Sequence, residues 1–486
     1  MGLPLEARTR RGAHGSRDQY GVAGGRLRQG KLRATGSGVK KGSIGRSSHP
    51  CYPCRPSHHP SCQVMTLIER QAVCVVGLGY IGLPTAAVLA SCGYKVHGVE
   101  TDVRAREIIN SGRAHIIEHD LDMLVRAGIE SGRLAAFAEP VTADVFVLCV
   151  PTPLGPDRGA DLTHVRAATE SICPVLKKGD LVILESTSPP GTTKMIAELV
   201  FANTDLEPGD LYFVHAPERV LPGRILHEVV QNDRIIGGLD EESTQKGRAF
   251  FETFVRGELI LCDSRMAEMA KLVENASRDV QIAFANELSM LCEDLDIDVR
   301  ELIEIANRHP RVNILEPGPG VGGHCIAVDP WFIVDMAKGK ARLLETARAV
   351  NDSKPRWVAD KVKNATAALI DPVIACFGAT YKADIDDLRE SPALKIIQDL
   401  QASGVGRVLV VDPNLDELPG CQLVAPEVAY LEADVFVFLV PHAPFFLITS
   451  EQRSKKIVID VCGVTSSRTR PGTTAGWSER ADGPIA

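Results

Sequence analysis

What this sequence lacks narrows it before any motif is read. It has no run of about 18 apolar residues, so no membrane-spanning helix is expected. Its thirteen cysteines form no dense, short framework, which excludes a small disulfide-stapled scaffold. Cys74, Cys149 and Cys376 lie inside apolar runs, as suits buried thiols in a reducing cytoplasm. Residues 1–64 have no hydrophobic periodicity, no apolar signal core and no amphipathic helix, so they read as neither a secretory leader nor a transit peptide. They are also short of acids, with twelve Lys and Arg against Glu6 and Asp18, a net charge of +10 in a chain whose total is −8. The remainder therefore carries −18, and so acidic a body argues against nucleic-acid binding as its main task.

The Gly-, Arg- and Ser-rich residues 1–64 are expected to be a disordered basic tail, an extension ahead of a start at Met65. Cys51, Cys54, His58, His59 and Cys62 are zinc-ligand types, but no fold surrounds them and no metal is expected. The rest is ordinary globular material: 486 residues overall, 44% hydrophobic and 24% charged, enough for two or three domains.

The stretch Pro317–Pro330 organises the chain. Gly318, Gly320, Gly322 and Gly323 remove side chains where something must approach the backbone. Cys325 follows at once and Asp329 four residues later. A thiol in a glycine loop, unlike one in an apolar run, is a candidate covalent nucleophile; the bland alternative is a small buried Cys.

Upstream, the apolar strand Ala72–Val76 runs into Gly77, Leu78, Gly79, Tyr80, Ile81 and Gly82, and then into a helix from about Leu83. In a strand, G-x-G-x-x-G, helix unit, the first Gly permits the turn, the second admits a pyrophosphate and the third lets helix and strand pack. A second strand ends in Glu100, an acid able to accept from a ribose and to repel a 2′-phosphate, which favours NAD over NADP. Strands ending near Val150 and Glu185 lead into polar loops at the ligand edge of such a sheet, making Thr152 and Thr187 candidates for the nicotinamide side. From Asp263 to about Asp296 the pattern is one long helix, with Lys271, Asn275 and Arg278 sharing a face at i, i+4, i+7. Helices are expected near Val299–Asn307, Ala341–Asn351 and Pro355–Leu369, and a second α/β run begins at Pro372. Ala143–Pro151 echoes Ala433–Pro441, as two doubly wound domains would. The expected fold is α/β: two Rossmann-like doubly wound domains joined by a long central helix. The expected divisions are 1–64 tail, 65–262 NAD-binding, 263–353 central helical, 354–464 UDP-sugar-binding and 465–486 loose tail.

Gly77–Pro84, Glu185–Thr187, Ala270–Asn275, Gly322–Cys325 and Asp386–Ser391 together resemble the UDP-glucose/GDP-mannose dehydrogenase family, over roughly Thr66–Val464. The resemblance implies NAD, a UDP-sugar substrate, a homodimer built on the central helix, and oxidation of a sugar C6 alcohol to the acid. It implies Cys325 as nucleophile, Lys271 and Asn275 at the developing oxyanion, and Asp329 and Glu218 in proton handling or water activation. It implies sugar-nucleotide contacts from Arg219, Val220, Lys271, Asn275, Arg278, His309, Arg311, Gly322, Tyr381 and Lys382, and a cofactor contact from Arg389. Pro217–Gly223, Arg278–Leu288 and Asn307–Leu315 resemble the members of the family that act on UDP-N-acetyl-D-mannosamine, which implies that substrate, a cytoplasmic location and a product used for surface polysaccharide. UDP-N-acetylglucosamine and UDP-glucose are the alternatives. A non-catalytic nucleotide-sugar or NAD sensor is a rival of another class, but sensing needs neither the thiol nor the lysine. Two positions depart from the family: Glu100 replaces an Asp, and Cys462 stands where a basic residue is expected.

Overall fold

The structure is a computed structural model describing residues 71–466, Ile117 and Pro222 excepted. The expectations for residues 1–64, including the zinc-ligand types, and for the tail beyond 466 lie outside the described residues.

Eight strands form the first sheet: β1 (Ala72–Val76), β2 (Lys95–Val99), β3 (Leu134–Phe137), β4 (Val145–Leu148), β5 (Leu181–Leu184), β6 (Tyr212–His215), β7 (Arg234–Gly238) and β8 (Leu259–Asp263). Their order is β3-β2-β1-β4-β5-β6-β7-β8, so the chain reverses direction at the β1/β4 boundary. All neighbouring pairs are parallel except β6 and β7. Strands covered on both faces must be apolar throughout. In β1, Val73 and Val75 enter one core while Cys74 and Val76 enter the other.

The second sheet is wholly parallel, in the order β11-β10-β9-β12-β13: β9 (Val373–Phe377), β10 (Arg407–Val411), β11 (Gln422–Leu423), β12 (Val435–Phe438) and β13 (Ile457–Asp460). The sequence echo is a structural one, because β4 and β12 hold the same place, each beside the first strand of its sheet. The first turns match as well. Gly77 (φ +91°) and Gly378 (φ +94°) each donate to the last residue of the second strand, Val99 and Val411, at 2.8 Å. A carboxylate then braces each turn: Glu100 accepts from Leu78 N at 3.1 Å, and Asp412 from Ala379 N at 2.8 Å.

Helix α1 (Gly82–Ser91) belongs to the first sheet; between the sheets run α2 (Ser264–Asp294), α3 (Val299–Ala306), α4 (Asp329–Ala337) and α5 (Arg342–Thr366), and α6 (Pro392–Ser403) belongs to the second. The two helices expected around Pro355 are one: α5 runs straight through that proline. Loss of one N–H and the clash with the preceding turn cost about 3 kcal/mol in an exposed helix. Here packing on α2 outweighs that cost. Asn286 Nδ2 donates to Asn351 Oδ1 at 2.9 Å and Lys354 Nζ to Ser289 Oγ at 2.6 Å before the proline, and Lys361 Nζ donates to Glu293 Oε2 at 2.6 Å after it, holding α5 on both sides. The short helix α4, which begins at Asp329 itself, was not expected from the sequence.

Candidate active site

The first glycine turn fits a dinucleotide, and each glycine has its own reason. A Cβ on Gly77 would stand 2.5 Å from Cys149 O, and one on Gly82 would stand 1.9 Å from Gly77 O, so these two are required by packing. A Cβ on Gly79 would meet nothing within 4 Å, so that backbone lies open to a ligand at the N-terminus of α1. Thr152 Oγ donates to Thr187 O at 2.8 Å, joining the loops after β4 and β5 at the sheet's ligand edge. Arg389, from the second domain, stacks 5.1 Å over the Tyr80 ring and pairs with Asp387 at 2.7 Å. A residue of one lobe thus covers the cofactor turn of the other.

The glycine loop before Cys325 is shaped by the chain's own packing. A Cβ on Gly322 would lie 2.7 Å from Tyr381 Cβ and 2.8 Å from Glu390 O, and Gly323, at φ +78°, packs under the Tyr381 ring. What approaches those two glycines is the Tyr381 loop. Gly318 N donates to Asn286 on α2 at 2.9 Å and Gly323 N to Arg389 O at 3.0 Å, so the loop is fastened to the central helix and to the second lobe.

Beyond it, Cys325 faces solvent at the start of the turn into α4, and Asp329 N closes that turn onto Cys325 O at 2.9 Å. Although the residue is open to solvent on one side, the protein packed around its sulfur and then the Asp329 charge push the thiol pKa up, while Lys271 and Arg389 pull it down. Asp329 is buried, and burial raises it to about 6 despite the Asn275 amide, which donates to its Oδ2 at 2.5 Å, and the charge of Lys271. Thiol, carboxylate, amide and lysine, read from separate stretches, therefore form one cluster. Behind Lys271 lies His215, fully buried, which burial and then the lysine's charge hold down near 3, so it is a neutral imidazole.

Glu218 is sunk in a buried ion-pair group. Arg234 donates to Glu218 Oε2 and, through its other arm, to Glu185 Oε1 at 3.0 Å. Glu185 also accepts from the Cys149 thiol at 2.9 Å and the Thr85 hydroxyl at 3.4 Å. Arg219 pairs with Glu274 at 3.0 Å, tying the Glu218 loop to α2 one residue before Asn275, while Val220 packs at the edge of the first core. Burial lowers the Arg278 pKa. Lys382 is exposed beside Tyr381. His309 and Arg311 are exposed on the turn after α3, and among the described residues no hydrogen bond or ion pair joins either to the Cys325 cluster. At Cys462, the nearby cation is Arg300 of α3, whose Nη2 donates to Val461 O at 3.0 Å. Sequence reading missed Arg234; the signal available was a charged residue heading an otherwise apolar strand, Arg-Ile-Ile-Gly-Gly.

A dinucleotide turn, a second nucleotide-binding type of sheet and a thiol–lysine cluster where the two meet define a nucleotide-sugar dehydrogenase. Residues 71–255 match the NAD binding domain of the UDP-glucose/GDP-mannose dehydrogenase family, 265–353 its central domain and 375–467 its UDP binding domain. The chain belongs to this family; it is an NAD-dependent oxidoreductase. Among its relatives, the NDP-N-acetyl-D-galactosaminuronic acid dehydrogenase of Ralstonia nicotianae is 52% identical, over 82% of this chain and 98% of its own length. The UDP-N-acetyl-D-mannosamine dehydrogenase of Yersinia pestis is 49% identical, over 81% and 99%. The solved UDP-N-acetyl-mannosamine dehydrogenase of S. aureus superposes with a TM-score of 0.76 at 41% identity, covering 82% of this chain and 96% of its own. Among the described residues, no helix is long and apolar enough to cross a membrane, and no His, Cys, Asp and Glu group is placed to hold a metal.

Proposed function

We propose that this protein carries out the four-electron oxidation of the C6 alcohol of UDP-N-acetyl-D-mannosamine to UDP-N-acetyl-D-mannosaminuronate, through a covalent adduct on Cys325. The observation that carries this is the meeting of Cys325, Lys271, Asn275 and Asp329 beside the cofactor turn. NAD, when bound, supplies the acceptor for the two hydrides removed; Gly77, Gly79, Tyr80, Ile81, Gly82, Glu100, Thr152, Thr187 and Arg389 hold it. Lys271 stabilises the alkoxide at C6, and Asn275 donates alongside. At the aldehyde stage the Cys325 thiolate forms a C–S bond to C6, the carbonyl electron pair moves to oxygen, and that oxygen takes a proton. Oxidation of this thiohemiacetal leaves a thioester. Water then adds to the acyl carbon, its proton passes to Glu218, and the C–S bond breaks to return the thiolate. Asp329, raised to about 6, exchanges protons near neutral pH. Arg219, Val220, Arg278, His309, Arg311, Gly322, Tyr381 and Lys382 are assigned to the sugar nucleotide.

The identity of the Ralstonia relative favours a second reading, an N-acetylgalactosamine nucleotide. NADH formation measured across UDP-linked N-acetylmannosamine, N-acetylgalactosamine, N-acetylglucosamine and glucose tests both. The expected kcat/KM for the first exceeds the others by at least about tenfold, on the scale at which one hydroxyl orientation is discriminated. A higher value for any other sugar overturns the assignment.

The proposal extends to a cytoplasmic homodimer whose product serves surface polysaccharide. Met266, Val273, Phe284 and Leu291 on α2 are each more than 40% exposed. At 100° per residue they fall on one face, which a second copy would cover.

A further inference from the structure

Arg234 is placed by topology. β7 is the one strand running antiparallel to its neighbour β6, with His215 paired to Gly237. Its first residue therefore emerges at the edge where β5 and β6 end, the edge that binds ligands. Extending the register opposes Arg234 to Glu218. Its side chain is 3% exposed, those of Glu185 and Glu218 are 1% and 5%, and the guanidinium lies 5.0 Å over the Phe251 ring. One cation thus serves two carboxylates. A single buried pair would need only one; the second, Glu185, occupies the other arm of the guanidinium fork and so fixes its rotation. Glu185 is anchored in turn by Cys149 and Thr85.

We propose that Arg234 is a positioning residue for the hydrolytic half of the reaction: clamped by Glu185, it holds the Glu218 carboxylate in place and aimed for water activation. The inference rests on Glu218 being the water-activating group proposed above. The chemistry assisted is thioester hydrolysis: water oxygen bonds to the acyl carbon, its proton goes to Glu218, and the C–S electron pair leaves with Cys325 sulfur. Burial raises the Glu185 pKa, against the pull of the Arg234 charge and helped by the neighbouring Glu218.

The test compares Glu218→Gln, Arg234→Met and Arg234→Lys. Each is mixed with UDP-sugar and NAD, NADH is followed through the first turnover, and the intact protein is weighed by mass spectrometry. The expected result is a first oxidation close to wild type, unchanged KM for both substrates, turnover down about 100-fold, and an acyl adduct accumulating on Cys325 in Glu218→Gln and Arg234→Met. Wild-type hydrolysis with no adduct in folded Arg234→Met, while Glu218→Gln accumulates it, overturns the role of Arg234 and leaves that of Glu218 standing. No adduct in Glu218→Gln removes the reading of Glu218, and this inference with it. If Arg234→Met does not fold, Arg234→Lys decides, because it keeps the charge but cannot clasp both carboxylates. Adduct accumulation with unchanged KM supports the role, and wild-type hydrolysis overturns it.

Discussion

At Cys325, burial and the Asp329 charge work against ionisation while Lys271 and Arg389 favour it. If the thiol makes the tetrahedral adduct for the second oxidation, Cys325→Ala will still bind both substrates but form almost no uronic acid from the alcohol. Acid product per NADH measures this, and near wild-type acid formation would return Cys325 to a passive role. For Asp329, the folded pKa of about 6 lies above its ordinary value of 3.8, so the native state holds the proton more tightly. That stabilisation is complete at low pH and is lost as pH rises through the window from about 4 to 6. Asp329→Asn should therefore flatten the pH dependence of Tm across that window, and remove a limb of kcat/KM that rises near pH 6. An unchanged profile would mean Asp329 stays ionised throughout. Lys271, Asn275, Asp329 and Cys325 were legible in the sequence because local motifs mark them. Arg234 was not, because its partners stand 49 and 16 residues away and only the antiparallel turn of β7 brings them together.

The strands expected from the sequence, β1, β4 and β5 among them, end within a residue or two of their expected places, since burial on both faces leaves an apolar run; β7, equally buried, was not read, because Arg234 and two glycines break its apolar run. Pro355 misled because the forces carrying α5 through it come from α2, which no local pattern records. The same contact sets a second pH effect. Burial, helped by Lys361 and opposed by Glu293, pushes Lys354 down to about 7. Between about 7 and 10.5 the unfolded chain holds the proton more tightly, so stability from this group is lowest at neutral pH and below and recovers as pH rises. Lys354→Met should raise Tm at pH 7, and the gain should shrink toward pH 10; a gain independent of pH would exclude a charge effect. The glycine loop makes a steric prediction. Gly322→Ala places a methyl 2.8 Å from the Glu390 carbonyl, so it should cost about 1–3 kcal/mol and depress kcat by shifting the Cys325 loop. Thermal denaturation and steady-state rates together check it, and a neutral variant would mean the Tyr381 loop moves aside.

At the level of the molecule, the α2 stripe predicts association. Phe284→Asp puts a charge in the centre of the proposed contact and should convert dimer to monomer in sedimentation velocity; an unchanged dimer would place the interface elsewhere. The two sheets share a plan, yet their bracing acids have had different fates. Glu100 is half-buried and, among the described residues, accepts from Leu78, Thr101 and Asp102. Asp412 is enclosed, bonded through Oδ2 to His442 Nε2 at 3.2 Å and through Oδ1 to Asn414 N at 3.0 Å. Each carboxylate takes three donors, so what separates the two is burial: Glu100 is half-buried and Asp412 is enclosed. Of the two bracing acids, the first is therefore the one that a ligand can reach from solvent.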